Sequence, residues 1–528
     1  MRLARPLSLL VRFVLRPLGC LPLLASAFAC SWVHPSEPWR AVPESTPLPV
    51  YESIPVDFSH RWDRKVAHHL SGAAVLDVDG DGCDELFVGG GEGQPDALLG
   101  RVDGGLVDRI AGTGLSSSAA TYGSLAIDLD GDGDVDLAVA RNDGVTLYRR
   151  EGDRFTPRRL DVTLPERSVV LAIAAGDIER DGDADLYLSV FVDFPHFTPA
   201  TFNVPEHAKG NRLLRNDGDL RFTDVTTPAT ATKQNTFTSA FVDLDGDGWQ
   251  ELVVAQNTGR VEILHNRGGD GFEAIEVPTG FGFWMGVAIG DYDADGDQDL
   301  LFTNVGDSFP GFLARGDLQA DQPYAGGWAL LRNEGGLRLV DATREAGLSG
   351  LGFAWGAVFE DVNFDGTLDL LAAQNYVKWP VHRLFKFPGK VLLGGSAGRF
   401  APAAVAPNES FGNAPVLADL DGDGRADLFW LNNDGPSRAF LNRSPGNAVV
   451  LLLPDDAHSL GARVRLEGAG AQGVREVVSG AGLGIDPAAR FAFGLGSATH
   501  ADRLVVEWPD GHATAIENPP VNRVIRLR

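Results

Sequence analysis

The chain has 528 residues, 44% of them apolar, so it can bury a large core, while 64 glycines and 31 prolines favour turn-rich β structure over long helices. A formal charge of -27 excludes the nucleic-acid backbone as a partner, because binding there needs lysine and arginine to displace counterions. The carboxylates cluster at fixed spacing between apolar runs, which reads as ligand supply rather than disorder.

In chain order, residues 1–29 differ from everything after them. Arg2, Arg5, Arg12 and Arg16 lead into an apolar stretch, residues 18–29, that ends in small side chains. This predicts a signal peptide, with Ala27 and Ala29 placed for cleavage before Cys30. The protein is then exported: periplasmic, secreted or an outer-membrane lipoprotein. The stretch is too short and too interrupted by proline for a good membrane span. Cys30 after Ala-Phe-Ala also resembles a lipoprotein box, although Ala27 stands where leucine is usual. A lipid anchor at Cys30 and plain cleavage are both open, and that anchor is the one membrane contact expected. Cleavage would leave Cys30 and Cys83 as the cysteines, so a disulfide framework is not what holds the fold together. Residues 30–54 read as a linker.

From residue 77 onward a ten-residue loop recurs seven times, at spacings of 51, 49, 66, 48, 70 and 58 residues. The copies read DVDGDGCDEL, DLDGDGDVDL, DIERDGDADL, DLDGDGWQEL, DYDADGDQDL, DVNFDGTLDL and DLDGDGRADL. Calcium takes six to eight hard oxygen ligands, and a tight loop can offer them from alternate positions. Positions 1, 3 and 5 would supply side-chain oxygens, position 7 a backbone carbonyl, and position 9 a closing carboxylate. The first loop offers Asp77, Asp79, Asp81, Cys83 and Glu85; the second, Asp128, Asp130, Asp132, Asp134 and Asp136. The third offers Asp177, Glu179, Asp181, Asp183 and Asp185; the fourth, Asp243, Asp245, Asp247, Trp249 and Glu251. The fifth offers Asp291, Asp293, Asp295, Asp297 and Asp299; the sixth, Asp361, Asn363, Asp365, Thr367 and Asp369. The seventh offers Asp419, Asp421, Asp423, Arg425 and Asp427. Position 6 is glycine throughout, as a sharp turn requires. Up to seven Ca²⁺ are expected, rather than Mg²⁺, which demands a stricter octahedron and keeps its water. Glu179 is longer than its counterparts and Asn363 is uncharged, so loops three and six should bind most weakly.

An EF-hand needs glutamate at position 12 and flanking helices. Here position 12 is Val88, Val139, Leu188, Val254, Phe302, Ala372 and Trp430, and the flanks are short apolar runs of strand length. Dockerin-type and thrombospondin-type repeats follow one another more closely and lack such β segments. Each loop is therefore read as a turn between two strands. A hairpin follows, as in Arg215-Asn216-Asp217-Gly218 and Arg332-Asn333-Glu334-Gly335. With about four strand-like runs per repeat, the expected fold is all-β: a seven-bladed β-propeller over residues 55–445 and a small antiparallel β-sandwich-like domain over residues 446–528.

The seven loops resemble the FG-GAP, or VCBS-type, repeats of integrin α-chain propellers and many bacterial surface proteins. The tail resembles the ASPIC/UnbV domain that follows such repeats in the cartilage acidic protein family. It does so through Gly461-Ala462-Arg463-Val464, Ser479-Gly480, Phe493-Gly494-Leu495-Gly496 and Trp508-Pro509-Asp510-Gly511. One departure is the polar stretch after the second glycine pair, reduced here to Ile485-Asp486-Pro487. The resemblance implies an exported calcium-binding propeller with interaction roles and no defined reaction.

The long spacings place insertions at residues 191–210, 304–327 and 374–390, on the face opposite the loops. They carry Phe194, His196, Phe197, Phe202, His207, Lys209, Phe309, Phe312, Tyr324, Tyr376, Lys378, Trp379, His382, Phe385 and Lys386. Such loops either recognise a ligand or pack together as a lid. His68, His69, His207 and His382 could gather on one face, but no zinc-protease spacing and no nucleophile elbow is present. The Gly89-Gly90-Gly91 run lacks a following helix to cradle phosphate. The leading expectation is an adhesion or interaction module for a protein or glycan. The alternative is a calcium-stabilised propeller enzyme, a polysaccharide lyase or hydrolase, using Tyr376, Lys378, His382 and His207.

Overall fold

The apolar runs that bracket each loop are strands in the computed structural model, which describes residues 46–527 apart from 64–65, 233, 307–310, 376–387, 396 and 469–472. The signal peptide, Cys30 and most of the linker lie outside the described residues, as do Phe309, Tyr376, Lys378, Trp379, His382, Phe385 and Lys386. Ser168–Gly176 and Asp185–Val192 are buried along almost their whole length, which is why the runs are continuously apolar rather than alternating. Both faces of each sheet are covered by neighbours.

Seven antiparallel sheets of at least four strands follow one another. Their first strands are Ala73–Leu76, Thr121–Ile127, Ser168–Gly176, Asn235–Val242, Val287–Gly290, Ala354–Glu360 and Gly412–Ala418. Each first strand packs against the next, and Gly412–Ala418 returns to Ala73–Leu76, so the set closes into a ring. This is a β-propeller with the first strands around its axis. The outermost strand of the last sheet is Tyr51–Ile54, antiparallel to Arg438–Asn442. Residues 51–54, expected in the linker, thus close the ring. Closure pairs chain ends almost 400 residues apart in sequence, so no local pattern marks it.

The tail forms two further sheets. One comprises Arg490–Gly496, Asn447–Leu452 and Val524–Arg526; the other Arg475–Glu476, Arg463–Glu467, Arg503–Glu507 and Ala513–Glu517. Val524–Arg526 pairs in parallel with Asn447–Leu452, so the tail is not wholly antiparallel. Val449, Leu451, Phe491 and Phe493 share one continuous apolar cluster with Leu125, Ile127, Val170 and Ile173 of the ring, and the described residues lie within one compact unit.

One tail segment enters the ring. Ser479 Oγ accepts the Ala175 amide at 3.1 Å, and Thr238 Oγ1 donates to Gly480 O at 3.1 Å. Gly482 and Val287 exchange both backbone hydrogen bonds, at 2.6 and 3.0 Å. Gly484 O accepts from Ala73 and Ser124, while Asn413 Nδ2 donates to Leu483 O at 3.2 Å. Ile485–Asp486 then pairs in parallel with Ala73–Ala74. Residues 479–486 therefore lie along the axis, bonded to first strands on every side. The adjacent space between tail and ring is a cavity of about 150 Å³ that includes Glu360, Asp455, Arg475, Asp486 and Arg490 in its wall.

At the other end of the ring the two described insertions pack on each other. Asn203 N donates to Asp317 Oδ2 at 3.0 Å, and Asn203 Nδ2 to Gln322 Oε1 at 2.8 Å. Phe202 and Ala314 join Tyr122, Leu171, Phe237, Trp355 and the axial Leu483 in one apolar cluster. Phe194, Phe197 and Tyr324 pack against its edge. Phe202, Phe194, Phe197 and Tyr324 are thus packed while Phe312 stays exposed, and of the two readings the lid describes these two insertions.

Candidate metal centres

In all seven copies position 1 directly follows the first strand and position 9 opens the second. The loops share one hydrogen-bond frame. The position-6 glycine, at φ between 81° and 101°, donates its amide to Oδ2 of position 1 at 2.8–3.1 Å. Position-5 Oδ1 accepts the amide of position 7 at 2.8–3.0 Å. The position-9 carboxylate accepts the amide of position 2 at 2.8–3.1 Å. Where position 9 is aspartate, its other oxygen takes a backbone amide of the third strand, or in the sixth sheet of Gly394 just after it, at 2.6–2.8 Å. Where it is the longer glutamate, Glu85 and Glu251 instead reach the side chains of Arg109 and His265, at 3.2 and 3.0 Å. Position 9, expected only as a closing ligand, is also the clasp between three strands.

The frame leaves oxygens for a cation. Ligand atoms of Asp77, Asp79 and Glu85 lie within 4.8 Å of one another, as do those of Asp128, Asp130 and Asp136 and those of Asp243, Asp245 and Asp247. Asp130 Oδ1, Asp293 Oδ1, Asp419 Oδ1 and Asp421 Oδ1 are buried without a hydrogen-bond partner. A buried acceptor left so is costly unless something else engages it, and a cation does. Burial pushes the position-9 carboxyls up: Glu85 and Asp136 to about 7, Asp185 to about 8, Glu251 and Asp299 to about 9. Burial, then Asp81, push the Cys83 thiol up to about 11, so position 7 offers a carbonyl there and not a thiolate. The Trp249 ring at position 7 lies under the Arg180 guanidinium, 4.0 Å away.

A basic side chain, absent from the expected ligand set, meets position 3. Arg149 Nε lies 2.6 Å from Asp130 Oδ2, Arg215 Nε 3.5 Å from Glu179 Oε1, and His265 Nδ1 3.8 Å from Asp245 Oδ2. Burial, then Asp295, push the Asp293 carboxyl up, and the nearby Arg332 guanidinium offsets part of that push. These four occupy the same place on the third strand, two residues before the hairpin turn. In the first sheet that place is Gly100, and Arg109 fills the space, reaching Asp79 at 3.1 Å. In the seventh, Arg443 lies 2.7 Å from Asp421. In the sixth, the place is Leu393, and position 3 is the neutral Asn363. Acid and base are lost together. Asn363 Nδ2 donates instead to Pro47 O and Asp365 Oδ2, both at 2.9 Å. A sequence signal was available in three sheets, as a base directly before an Asn: Arg215-Asn216, His265-Asn266 and Arg332-Asn333.

The loops also join neighbouring sheets. Asn216 Nδ2 donates to Leu129 O of the preceding loop at 2.9 Å, Asn333 Nδ2 to Leu244 O at 2.6 Å, and Asn442 Nδ2 to Val362 O at 3.0 Å. Arg150 Nη2 reaches Val78 O in the same manner at 2.7 Å. The tail engages position 1 directly: Val474 N donates to Asp291 Oδ2 at 2.8 Å, and Arg490 Nη1 to Asp419 Oδ2 at 2.9 Å.

Three of the histidines considered for catalysis, His68, His69 and His207, are packed inside the lid end of the ring, and His382 lies outside the described residues. His68 is ringed by Tyr122, Phe191, Phe194 and Phe197, with Nε2 2.8 Å from Val192 O. His69 lies between Trp62 and Trp355. His207 is buried, with Nδ1 3.1 Å from Asn235 Nδ2 and Nε2 accepting the Thr198 amide at 3.1 Å. These three gather, but as packing and not at a solvent-open mouth.

The fold and loops define a β-propeller built on repeated acidic turns. Residues 77–139, 128–188, 203–254 and 243–302 match the FG-GAP-like repeat, and residues 454–528 match the family described as ASPIC and UnbV. The chain is thus a propeller of FG-GAP-like repeats with a C-terminal ASPIC and UnbV domain. The sixth and seventh loops lie outside the matched stretches yet share the frame of the other five. No curated protein matches the chain. Among solved structures it is similar to the extracellular domain of the putative hybrid two component system BT3049 from B. thetaiotaomicron, at 11% identity and TM-score 0.41, over 90% of this chain and 57% of that one. It is also similar to Saccharomyces cerevisiae Sqt1, at 11% identity and TM-score 0.42, over 75% of this chain and 100% of that one. A third is BBS1N in complex with ARL6DN, at 10% identity and TM-score 0.41, over 72% of this chain and 93% of that one.

Proposed function

We propose that the protein is an exported, calcium-binding propeller that serves as an adhesion or interaction module for a protein or glycan. The observation that carries the calcium part is the common loop frame, which leaves buried oxygens of Asp130, Asp293, Asp419 and Asp421 unpaired. An all-oxygen set in a flexible loop suits Ca²⁺ better than Mg²⁺. Positions 1, 3 and 5, the position-7 carbonyl and position 9 would hold the ion. Bound calcium would offset carboxylate repulsion and link the first and second strands of each sheet. Export rests on the Arg2–Cys30 pattern. A rigid ring with a packed lid is a scaffold for recognition, and Phe312, Leu313 and Val204 give the lid an exposed apolar surface, with Phe312 80% exposed. Calcium titration of chelator-treated protein, followed by melting temperature and protease resistance, tests the first part; both should rise, and no change in either overturns it. A glycan and surface-protein binding screen with and without calcium tests the second, and binding should be calcium-dependent.

A further inference from the structure

A second kind of metal-ligating cluster lies in the tail, where its turns border the second and fourth loops at Asp128 and Gly248 but share no ligand residue with them. His458 sits on the short 3-10 turn Ala457–Ser459, and Asp510 and His512 sit on the turn between Arg503–Glu507 and Ala513–Glu517. One ligand atom from each of His458, Asp510 and His512 lies within 4.8 Å of the other two, and all three residues are exposed. Trp508 orders them. Its ring stacks on His458 at 5.3 Å and 20°, and on His512 at 5.4 Å and 13°, while the two imidazoles are 5.9 Å apart at 18°. Trp508 Nε1 donates to Thr514 Oγ1 at 3.0 Å, fixing the indole. The turn is fixed in turn: Trp508 N donates to His512 O at 3.0 Å, Gly511 N to Trp508 O at 2.9 Å, and His512 N to Asp510 Oδ1 at 3.0 Å. On the 3-10 side, Asp456 Oδ1 caps Ser459 N at 2.9 Å.

We infer that His458, Asp510 and His512 form a site for one divalent transition-metal ion of the zinc type. Two imidazoles and one carboxylate are borderline donors that favour zinc, nickel or copper, in contrast to the hard oxygen loops. Zinc bonds to nitrogen and carboxylate oxygen run to about 2.0–2.2 Å, so ligand atoms stand about 3–4 Å apart around the ion. Separations of at most 4.8 Å need to close by no more than about 1 Å to reach this, while the hydrogen-bonded His512–Asp510 pair opens slightly. The hydrogen bond between His512 Nδ1 and Asp510 Oδ1 would give way to two bonds to the ion. Exposure leaves the remaining positions open to water or to a donor from a partner. The protein then carries two metal chemistries: oxygen sites in the ring, and a nitrogen-containing site on the tail.

The test uses the full chain saturated with calcium, so that the His265–Asp245–Glu251 group in the fourth loop is occupied. Zinc alone is titrated by calorimetry into wild type, His458→Ala, His512→Ala and Asp510→Asn. One equivalent is expected in wild type, with affinity reduced at least tenfold in each histidine variant and calcium binding unchanged. Copper should quench the Trp508 component of the fluorescence, and Trp508→Phe should remove that component. Melting temperature without zinc checks that each variant is folded, and His500→Ala serves as a folded control that keeps the site. Zinc binding equal in wild type and the His458→Ala/His512→Ala double variant overturns the inference, as does no binding in wild type at millimolar zinc.

Discussion

At the scale of single residues, position 3 of each loop carries the most information. Its carboxylate faces an arginine or histidine in six copies, so a divalent ion must enter against a positive neighbour. Removing that neighbour should favour the ion. Arg149→Gln is expected to raise calcium affinity at the second loop several-fold and to steepen its salt dependence, read by calorimetry at two ionic strengths. Asp293→Asn should remove one calcium equivalent, because the buried Oδ1 it alters has no other partner. Counting the base also changes the standing of the sixth loop. Three carboxylates without a base carry the same formal charge as four with one, so Asn363 does not by itself make that loop weak. Strain falls on position 4, where every copy has positive φ, including Arg180, Ala294 and Phe364. Exposed Ala294 gains nothing from that conformation. Ala294→Gly should stabilise the protein by up to about 1 kcal/mol, measured by chemical denaturation. Phe364 is different: its ring is buried against Ala448, Val450 and Ala492 of the tail, and that packing holds it there.

At the scale of the element, each loop is a joint between strands as well as a cation site. Its position-9 carboxylate is buried, and burial raises its folded pKa above the unfolded value near 4. A raised carboxyl contributes stability that is complete below its unfolded pKa and lost as pH rises through its folded pKa. Metal-free protein should therefore melt progressively lower as pH goes from about 5 to about 9, the range set by the carboxyls raised to about 7, 8 and 9. With calcium bound, those carboxylates are already ionised and the slope should flatten. Melting curves across pH, with calcium and with chelator, measure both. The loops were legible in the sequence because their ligands, glycine and flanking strands all fall within about a dozen residues. The donors that join one loop to the next sheet, such as Asn216 to Leu129 and Asn442 to Val362, were not, since each spans about 80 residues of sequence. The insertions were legible as long loops, but their phenylalanines carry no local sign of whether they face solvent or Trp355.

At the scale of the molecule, the tail completes the propeller rather than following it. Its motif Ser479-Gly480 was recognisable, yet its place on the axis was not, because its partners run from Ala73 to Asn413. Small residues are what the channel admits: a Cβ on Gly480 would meet Ser239 O at 2.2 Å, and one on Gly484 would meet Tyr122 O at 2.4 Å. Leu483 is the side chain that ties this segment to the lid cluster. Leu483→Ala should cost about 3 kcal/mol and expose the tail to protease before the ring, read by denaturation and timed proteolysis. A variant that loses stability while tail and ring are cut together would show that the axial segment does not hold the tail.

The start of the described chain and the axial segment of the tail are thus held in different ways. Tyr51–Ile54 lies along one edge strand, whereas residues 479–486 are gripped around the axis. Under tension applied between them, the first strand to yield would be the edge strand, sliding past Arg438–Asn442, while the axial grip spreads the pull over most of the ring. A partner bound to the tail would then draw the sheets inward together instead of peeling them apart one at a time.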